Sequence, residues 1–292
     1  MTHADAISPG RLVVAGLGYS GSALAREAAA AGWQVTGTAR DPARAEPPPG
    51  VAVVAFDQAG PAIAAATHLL VTAAPGEAGD PVLAAHAPAI AAAAGLRWVG
   101  YLSTTGVYGD RGGGTVDEAT PPAPGQDRSR RRLAAEQAWA ALADRLAVDI
   151  FRVGGIYGPG RSAFDELRAG TARRTIKPGH AFSRIHRDDI AHAVLAALGQ
   201  RLPPGRRVLN LVDDLPAESA LVVEEAARLL GMAPPPAVPF EQAAAGMSPM
   251  GRSFWAENRV VANAATKAAL GIAWRHPDYR AGLAAILAGE QG

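Results

Sequence analysis

Three glycines, Gly16, Gly18 and Gly21, stand in the spacing G-x-G-x-x-G between a short apolar run and an alanine-rich stretch of helical character. That arrangement fits one kind of chemistry, the binding of a dinucleotide pyrophosphate. The first glycine permits a tight turn, the second lets backbone come close to phosphate, and the third lets the new helix pack closely on the strand. The first turn of that helix adds unpaired N–H groups and the positive end of a dipole. Tyr19 and Ser20, inside the loop, join the glycines as cofactor-binding candidates. In a chain with 33 glycines the pattern carries weight only through its place between strand and helix. The end of the second strand separates NAD from NADP: an acid there accepts the ribose 2′-hydroxyl of NAD, whereas an arginine accommodates the 2′-phosphate of NADP. Here Ala39 stands at that place, Arg40 follows and Arg44 lies near. NADP is therefore expected ahead of NAD, with Asp41 supplying an acid only if the strand slips by one residue.

The elements that must position these residues alternate along the first half of the chain. Strand signals fall at 12–15, 33–39, 51–56, 68–73, 97–102 and 148–153, and helix signals at 22–31, 60–66, 80–94 and 130–145. Gly32 and Gly95 stand where helix C-caps belong. This is the sequence form of an α/β fold with a Rossmann-type doubly wound parallel sheet. The alternation fades after Gly160, with one more helix at 189–198 and one more strand at 207–211. A discontinuous nucleotide-binding domain over 1–156 and 186–212 is expected, with a smaller C-terminal substrate lobe over 157–185 and 213–292. Residues 111–126, rich in Gly and Pro, read as a long loop.

Composition narrows the function. The 292-residue chain is 49% hydrophobic with a net charge of +1, so neither nucleic acid nor a membrane surface is an expected partner. It has no cysteine, which excludes disulfides, thiolate metal sites and cysteine nucleophiles, and its seven histidines show no metal-ligand spacing. The first ten residues lack the basic start and apolar centre of a secretory signal, and no long apolar run reads as a membrane span. A cytoplasmic protein is expected.

Five motifs then occur in order: Gly16–Gly21, Ser103-Thr104-Thr105-Gly106-Val107-Tyr108-Gly109, Val116-Asp117-Glu118, Arg152 to Gly160, and Arg184 to Ile190. Together they resemble the extended short-chain dehydrogenase/reductases, the NAD(P)-dependent epimerase/dehydratase family. The resemblance spans nearly the whole chain. It implies an active site in the cleft between the nucleotide-binding domain and the lobe. It also implies that Asp57 meets the adenine, and that Thr72, Ala73 and Ala74 line the ribose and pyrophosphate, with Ser103 beside the cofactor. Asp57 reads equally well as the cap of the next helix.

In that family a Ser or Thr orients the substrate oxygen, a Tyr is the general acid/base, and a Lys four residues later lowers the phenol pKa and holds the nicotinamide ribose. An unperturbed phenol titrates near pH ~10, so it needs a neighbouring cation. Thr104 falls at the hydroxyl position, and Glu136 matches a glutamate on the helix that carries the other two. Counting back from Glu136 places Arg132 at the lysine and Arg128 at the tyrosine, and no tyrosine lies between Tyr108 and Tyr157. Arg132 can keep the lysine's electrostatic role but no arginine exchanges protons near neutrality. Tyr108 and Tyr157 are the leading substitutes for the missing phenol, ahead of Tyr101 and His186. Arg128 to Arg132 reads either as a solvated face or as a site for cofactor phosphates or an acidic substrate.

Gly154-Gly155 replaces an asparagine common in sugar-nucleotide epimerases. His186 reads as a satisfied interdomain histidine, and Asp188 and Asp189 as helix caps. These departures are similar to those of the atypical branch of the family. The expected function is an NADP-dependent oxidoreductase acting on a small carbonyl or hydroxyl substrate, which the arginines allow to be anionic. The alternatives are a non-catalytic dinucleotide-binding or redox-sensing protein and a sugar-nucleotide epimerase or dehydratase. The chain is expected as a monomer or as a homodimer through helices 81–94 and 130–145.

Overall fold

Leu12 and Val14 face one apolar layer and Val13 and Ala15 the other, so the first strand is buried on both sides. The same split recurs in Trp98 and Leu102 against Val99 and Tyr101, and in Phe151 and Val153 against Val148 and Ile150. Strands apolar on both faces belong inside a parallel sheet covered by helices. The computed structural model describes residues 9–291 and shows that sheet. Its strands are β1 (Arg11–Ala15), β2 (Gln34–Ala39), β3 (Val51–Ala55), β4 (His68–Val71), β5 (Trp98–Thr104), β7 (Ala147–Val153) and β11 (Gly205–Leu211). They lie in the order β11-β7-β5-β4-β1-β2-β3, all parallel, which is a Rossmann-type arrangement. The order reverses between β1 and β4, and ligands of open α/β sheets bind at the carboxyl ends beside such a switch point.

Helices α1 (Tyr19–Ala30) and α6 (Arg187–Leu198) contribute to one apolar layer, and α2 (Gly60–Ala64), α3 (Pro81–Ala92) and α4 (Asp127–Ala140) to the other. Gly32 ends α1 with φ +87, as a left-handed cap requires. Gly95 does no such work: α3 stops at Ala92, and Ala93 is its cap. The first eight residues, where the sequence was read for a leader, lie outside the described residues.

Three short parallel pairs complete the strands. They join β8 (Gly155–Tyr157) to β10 (Arg184–His186), β9 (Arg174–Ile176) to β12 (Ala237–Pro239), and β6 (Thr115–Val116) to β13 (Val260–Val261). A separate apolar cluster gathers Tyr157, Phe164, Leu167, Val223, Tyr279, Leu283 and Ile286. It is built from α5 (Ala163–Arg168), α7 (Ser219–Leu229) and α11 (Tyr279–Gln291). Short helices α8 (Phe240–Ala245) and α9 (Pro249–Phe254) follow β12 in the chain. Not all of 213–292 joins that cluster. Helix α10 (Ala264–Leu270) and the turn to Trp274 return to the nucleotide-binding side, where Leu270 and Trp274 enter the main core. No helix among the described residues is long and apolar enough to cross a membrane.

Candidate active site

The glycine loop is held from three sides. Gly16 has φ +115, and Thr72 at the end of β4 donates its hydroxyl to the Gly16 carbonyl at 2.6 Å. The Leu17 amide donates to Thr38 on β2 at 3.0 Å, and the Leu17 side chain lies on Gly37, where a Cβ would sit 2.4 Å from it. A Cβ on Gly21 would stand 2.0 Å from the Gly16 carbonyl oxygen, so the helix can start this close to the strand only without a side chain there. A Cβ on Gly18 would meet no atom within 4 Å. The space over Gly18 is thus open, and the first-turn amides of Tyr19, Ser20 and Gly21 have no acceptor earlier in the helix. This cradle fits a pyrophosphate. Tyr19 anchors its outer side, donating its hydroxyl to the Pro159 carbonyl at 3.0 Å.

Past β2, Arg40 and Arg44 are exposed, and the Asp41 carboxylate accepts the Ala43 amide at 3.1 Å as the cap of a short helical turn. Asp57 is exposed, and α2 has no side-chain cap, so the capping reading of Asp57 does not hold.

A cavity of about 920 Å³ opens at the carboxyl ends of β4, β5 and β7. Ala74 and Pro75 enter its wall from the turn after β4, Thr104 from the last residue of β5, and Arg128, Ser129 and Arg132 from the first turns of α4. Strand β5 runs two residues further than its sequence pattern indicates, which carries Thr104 to the rim. The Thr104 oxygen accepts the Gly106 amide at 3.1 Å, so its own proton is left to donate. Arg132 donates to the Leu102 carbonyl at 2.8 Å and lies against Tyr101. Gly154 and Gly155 also line the cavity, and a Cβ on Gly154 would stand 2.7 Å from the Ser183 carbonyl oxygen. At Gly155 a Cβ would meet nothing nearer than 3.6 Å.

The phenols are elsewhere. None of the chain's five tyrosines lines this cavity. Tyr108 is fully buried and donates to Asn210 at 2.8 Å, with the Arg152 guanidinium over its ring; burial pushes its pKa above the ordinary phenol value. Tyr157 packs in the lobe cluster with its hydroxyl toward the Asp278 carbonyl at 3.3 Å, and burial raises its pKa as well. The two candidate substitutes for the acid/base thus lie away from this cavity, Tyr108 held by Asn210 and Tyr157 beside a neighbouring pocket. Tyr101 is buried, its pKa pushed up to about 12 by desolvation.

Ser103 precedes Thr104 on β5. It points away from the cavity, its hydroxyl donating to Glu136, and Glu136 is clasped by Arg152 at 2.8 and 3.2 Å. From Arg152 the chain of contacts runs through Tyr108 and Asn210 to Thr266, which donates to Glu118 at 2.6 Å. Several of the motif residues read for chemistry are therefore buried wiring that ties β5, β7, β11, α4 and α10 together.

His186 caps α6 in place of the two aspartates, its Nδ1 accepting the Asp188 amide at 3.2 Å. Its Nε2 is buried without a partner, and desolvation lowers its pKa to about 4. Asp189 is saturated by the Arg275 and His276 amides and the His276 ring. His186, Asp189 and His276 thus come within ligand distance of one another, a grouping that sequence spacing did not reveal.

The far wall of the cavity was also missed. It includes Arg173, Arg184, Phe254, Trp255, Glu257 and Arg259, mostly from segments outside the alternating pattern. Arg259 donates to Glu257 and to the Gly109 carbonyl, each at 2.9 Å, and Arg184 donates to the carbonyls of Phe182 and Ala217. Arg128 lies 4.1 Å from the centre of the Phe254 ring and, among the described residues, has no hydrogen-bond or carboxylate partner. The cavity therefore has five arginines against two carboxylates, Glu166 and Glu257.

No protein-family model matches the chain. Protein YeeZ of Escherichia coli K12 is 30% identical over 251 residues, covering 77% of this chain and 85% of that protein. The 3-diazoavenalumate denitrifying reductase of a Streptomyces species is 30% identical over 215 residues, 68% of each chain. Among solved structures, a functionally unknown conserved protein from Silicibacter pomeroyi is 45% identical with a TM-score of 0.87, over 97% of this chain and 100% of that one. A putative NAD-dependent epimerase/dehydratase from Methylobacillus flagellatus is 27% identical with a TM-score of 0.71, over 98% and 100%.

Proposed function

The chain belongs to the extended short-chain dehydrogenase/reductase family of epimerase/dehydratase-like proteins, and on that premise we propose that it is an NADP(H)-dependent oxidoreductase of the atypical branch, acting on a small carbonyl or hydroxyl compound. The observation that carries the reading is the pairing of an open glycine cradle with a cavity at the same sheet edge, rimmed by Thr104 and Arg132. The 2′-phosphate preference rests on Ala39 at the end of β2, on the exposed Arg40 and Arg44, and on Asp41, whose carboxylate is engaged as a cap. A reductase among the relatives agrees with redox chemistry.

When bound, the nicotinamide supplies a hydride to a substrate carbon or accepts one from it. Thr104 donates its free proton as a hydrogen bond to the substrate oxygen. Arg132, fixed on the Leu102 carbonyl, stabilises negative charge developing on that oxygen. The proton that completes an alcohol comes from water in the open cavity, because no phenol lines it. The missing phenol also supports a second reading, binding of the dinucleotide without turnover. Titration of the purified protein with NADPH and NADH tests the cofactor assignment. NADPH should bind at least about tenfold more tightly, a difference of about 1.4 kcal/mol, and Arg40→Ala should erase most of it. Equal or tighter NADH binding contradicts it.

A further inference from the structure

The part of the cavity wall formed by Arg128, Phe254 and Trp255 has a specific chemistry. Arg128 sits in the first turn of α4. A cation there opposes the helix dipole, at roughly 0.3–1 kcal/mol. Asp127, the only acid in that turn, is bound by Arg130, not by Arg128. Arg128 is held instead by the face of Phe254, and Arg259 lies close enough for their charges to repel. An unpaired guanidinium, stacked on an aromatic ring and next to a second cation, is a prepared anion receptor. Its planar fork matches a carboxylate in two parallel hydrogen bonds.

The surroundings of Arg128 are aromatic. Phe254 and Trp255 are consecutive, and Trp255 packs against Phe182 edge to face at 5.0 Å between centroids. All three line the cavity. Phe254 is 54% exposed. The cavity must also admit the reacting end of a cofactor beside Thr104.

The geometry points to a planar, conjugated carboxylate as the substrate class, an aryl or enoate acid. Arg128 grips the carboxylate, Phe254 and Trp255 cover the ring, and the reactive carbon is left toward Thr104. This assignment rests on the oxidoreductase reading for what happens to the substrate, but not for its binding.

The test is therefore run without cofactor. Binding of cinnamate, 4-hydroxycinnamate, cinnamamide and UDP-glucose is followed by quenching of tryptophan fluorescence and by calorimetry, in the wild type and in Arg128→Gln, Arg128→Lys and Phe254→Ala. Cinnamate should bind, and the amide should bind at least about tenfold more weakly. Arg128→Gln should weaken cinnamate by about the same factor, Arg128→Lys by less, and none of these changes should alter NADPH affinity. Equal binding of acid and amide, tighter binding of UDP-glucose, or a loss of NADPH rather than cinnamate in Arg128→Gln overturns the assignment. Cinnamate binding with no NADPH binding leaves the carboxylate site standing and removes the oxidoreductase reading instead.

Discussion

Single residues divide here into those that wire the fold and those that face the cavity. Glu136 and Arg152 form an ion pair with side chains only 6% and 5% exposed. Removing one partner strands the other as an uncompensated buried charge. Glu136→Ala is expected to lower stability by about 3–5 kcal/mol in urea denaturation. Tyr108→Phe should lower it by roughly 1–3 kcal/mol, because Asn210 loses its donor, and should leave cofactor affinity intact. Thr104→Val should do the reverse, leaving the unfolding midpoint nearly unchanged while reducing turnover by roughly a hundredfold, the usual loss for one donor to a developing oxyanion. A Tyr108→Phe protein with normal stability and no turnover would restore the phenol to catalysis.

At the scale of elements, the glycine loop shows what a sequence can specify. Gly16, Gly18 and Gly21 were legible because each answers a local backbone need, and the structure separates two of them sharply. Gly21→Ala drives a Cβ into the Gly16 carbonyl and should destabilise the protein by about 1–3 kcal/mol. Gly18→Ala points into open space, in extended backbone with φ −82, and should change stability by less than about 0.5 kcal/mol while weakening NADPH strongly. Thermal unfolding alongside NADPH titration distinguishes them; equal effects on both quantities would mean that the loop serves the fold alone. The sheet strands were legible for the same reason, since a parallel strand buried on both faces announces itself as an apolar run. What was not legible is direction. Ser103 and Thr104 are adjacent hydroxyls on one strand, and only the pleat decides that one enters the Glu136 network and the other the cavity. Arg259 and Phe254 lay beyond reach because they meet Arg128 from more than a hundred residues away, on a short helix and a loop with no periodic signal.

At the scale of the whole molecule, buried titratable groups set a pH optimum of stability. Desolvation lowers the pKa of His68 to about 3 and of His186 to about 4, from 6.5. Both are neutral in the folded protein at pH values where the unfolded chain protonates them, so unfolding takes up protons and stability rises with pH up to about 6.5. Asp213 works in the opposite sense. Burial raises its pKa from 3.8 to about 8, so it stays protonated in the fold where the unfolded chain ionises it, and stability falls with rising pH across that interval. Two histidines outweigh one aspartate below pH 6.5, and Asp213 acts without them above it. Urea midpoints should therefore pass through a maximum near pH 6.5 and decline toward pH 8, and Asp213→Asn should abolish the decline. A midpoint that keeps rising to pH 8 contradicts the burial argument.

The fold brings a nucleotide cradle and a phenol-free, arginine-lined cavity to one sheet edge, and the central claim is that redox chemistry takes place between them. NADPH deuterated at C4 of the nicotinamide, incubated with the protein and a panel of aryl and enoate acids bearing a carbonyl or other reducible group, tests this by mass spectrometry of the acids. One deuterium is expected to pass to carbon in at least one of them, at a rate cut roughly a hundredfold by Thr104→Val. Tight NADPH binding with no deuterium in any acid would contradict it and identify the chain as a dinucleotide-binding protein without turnover.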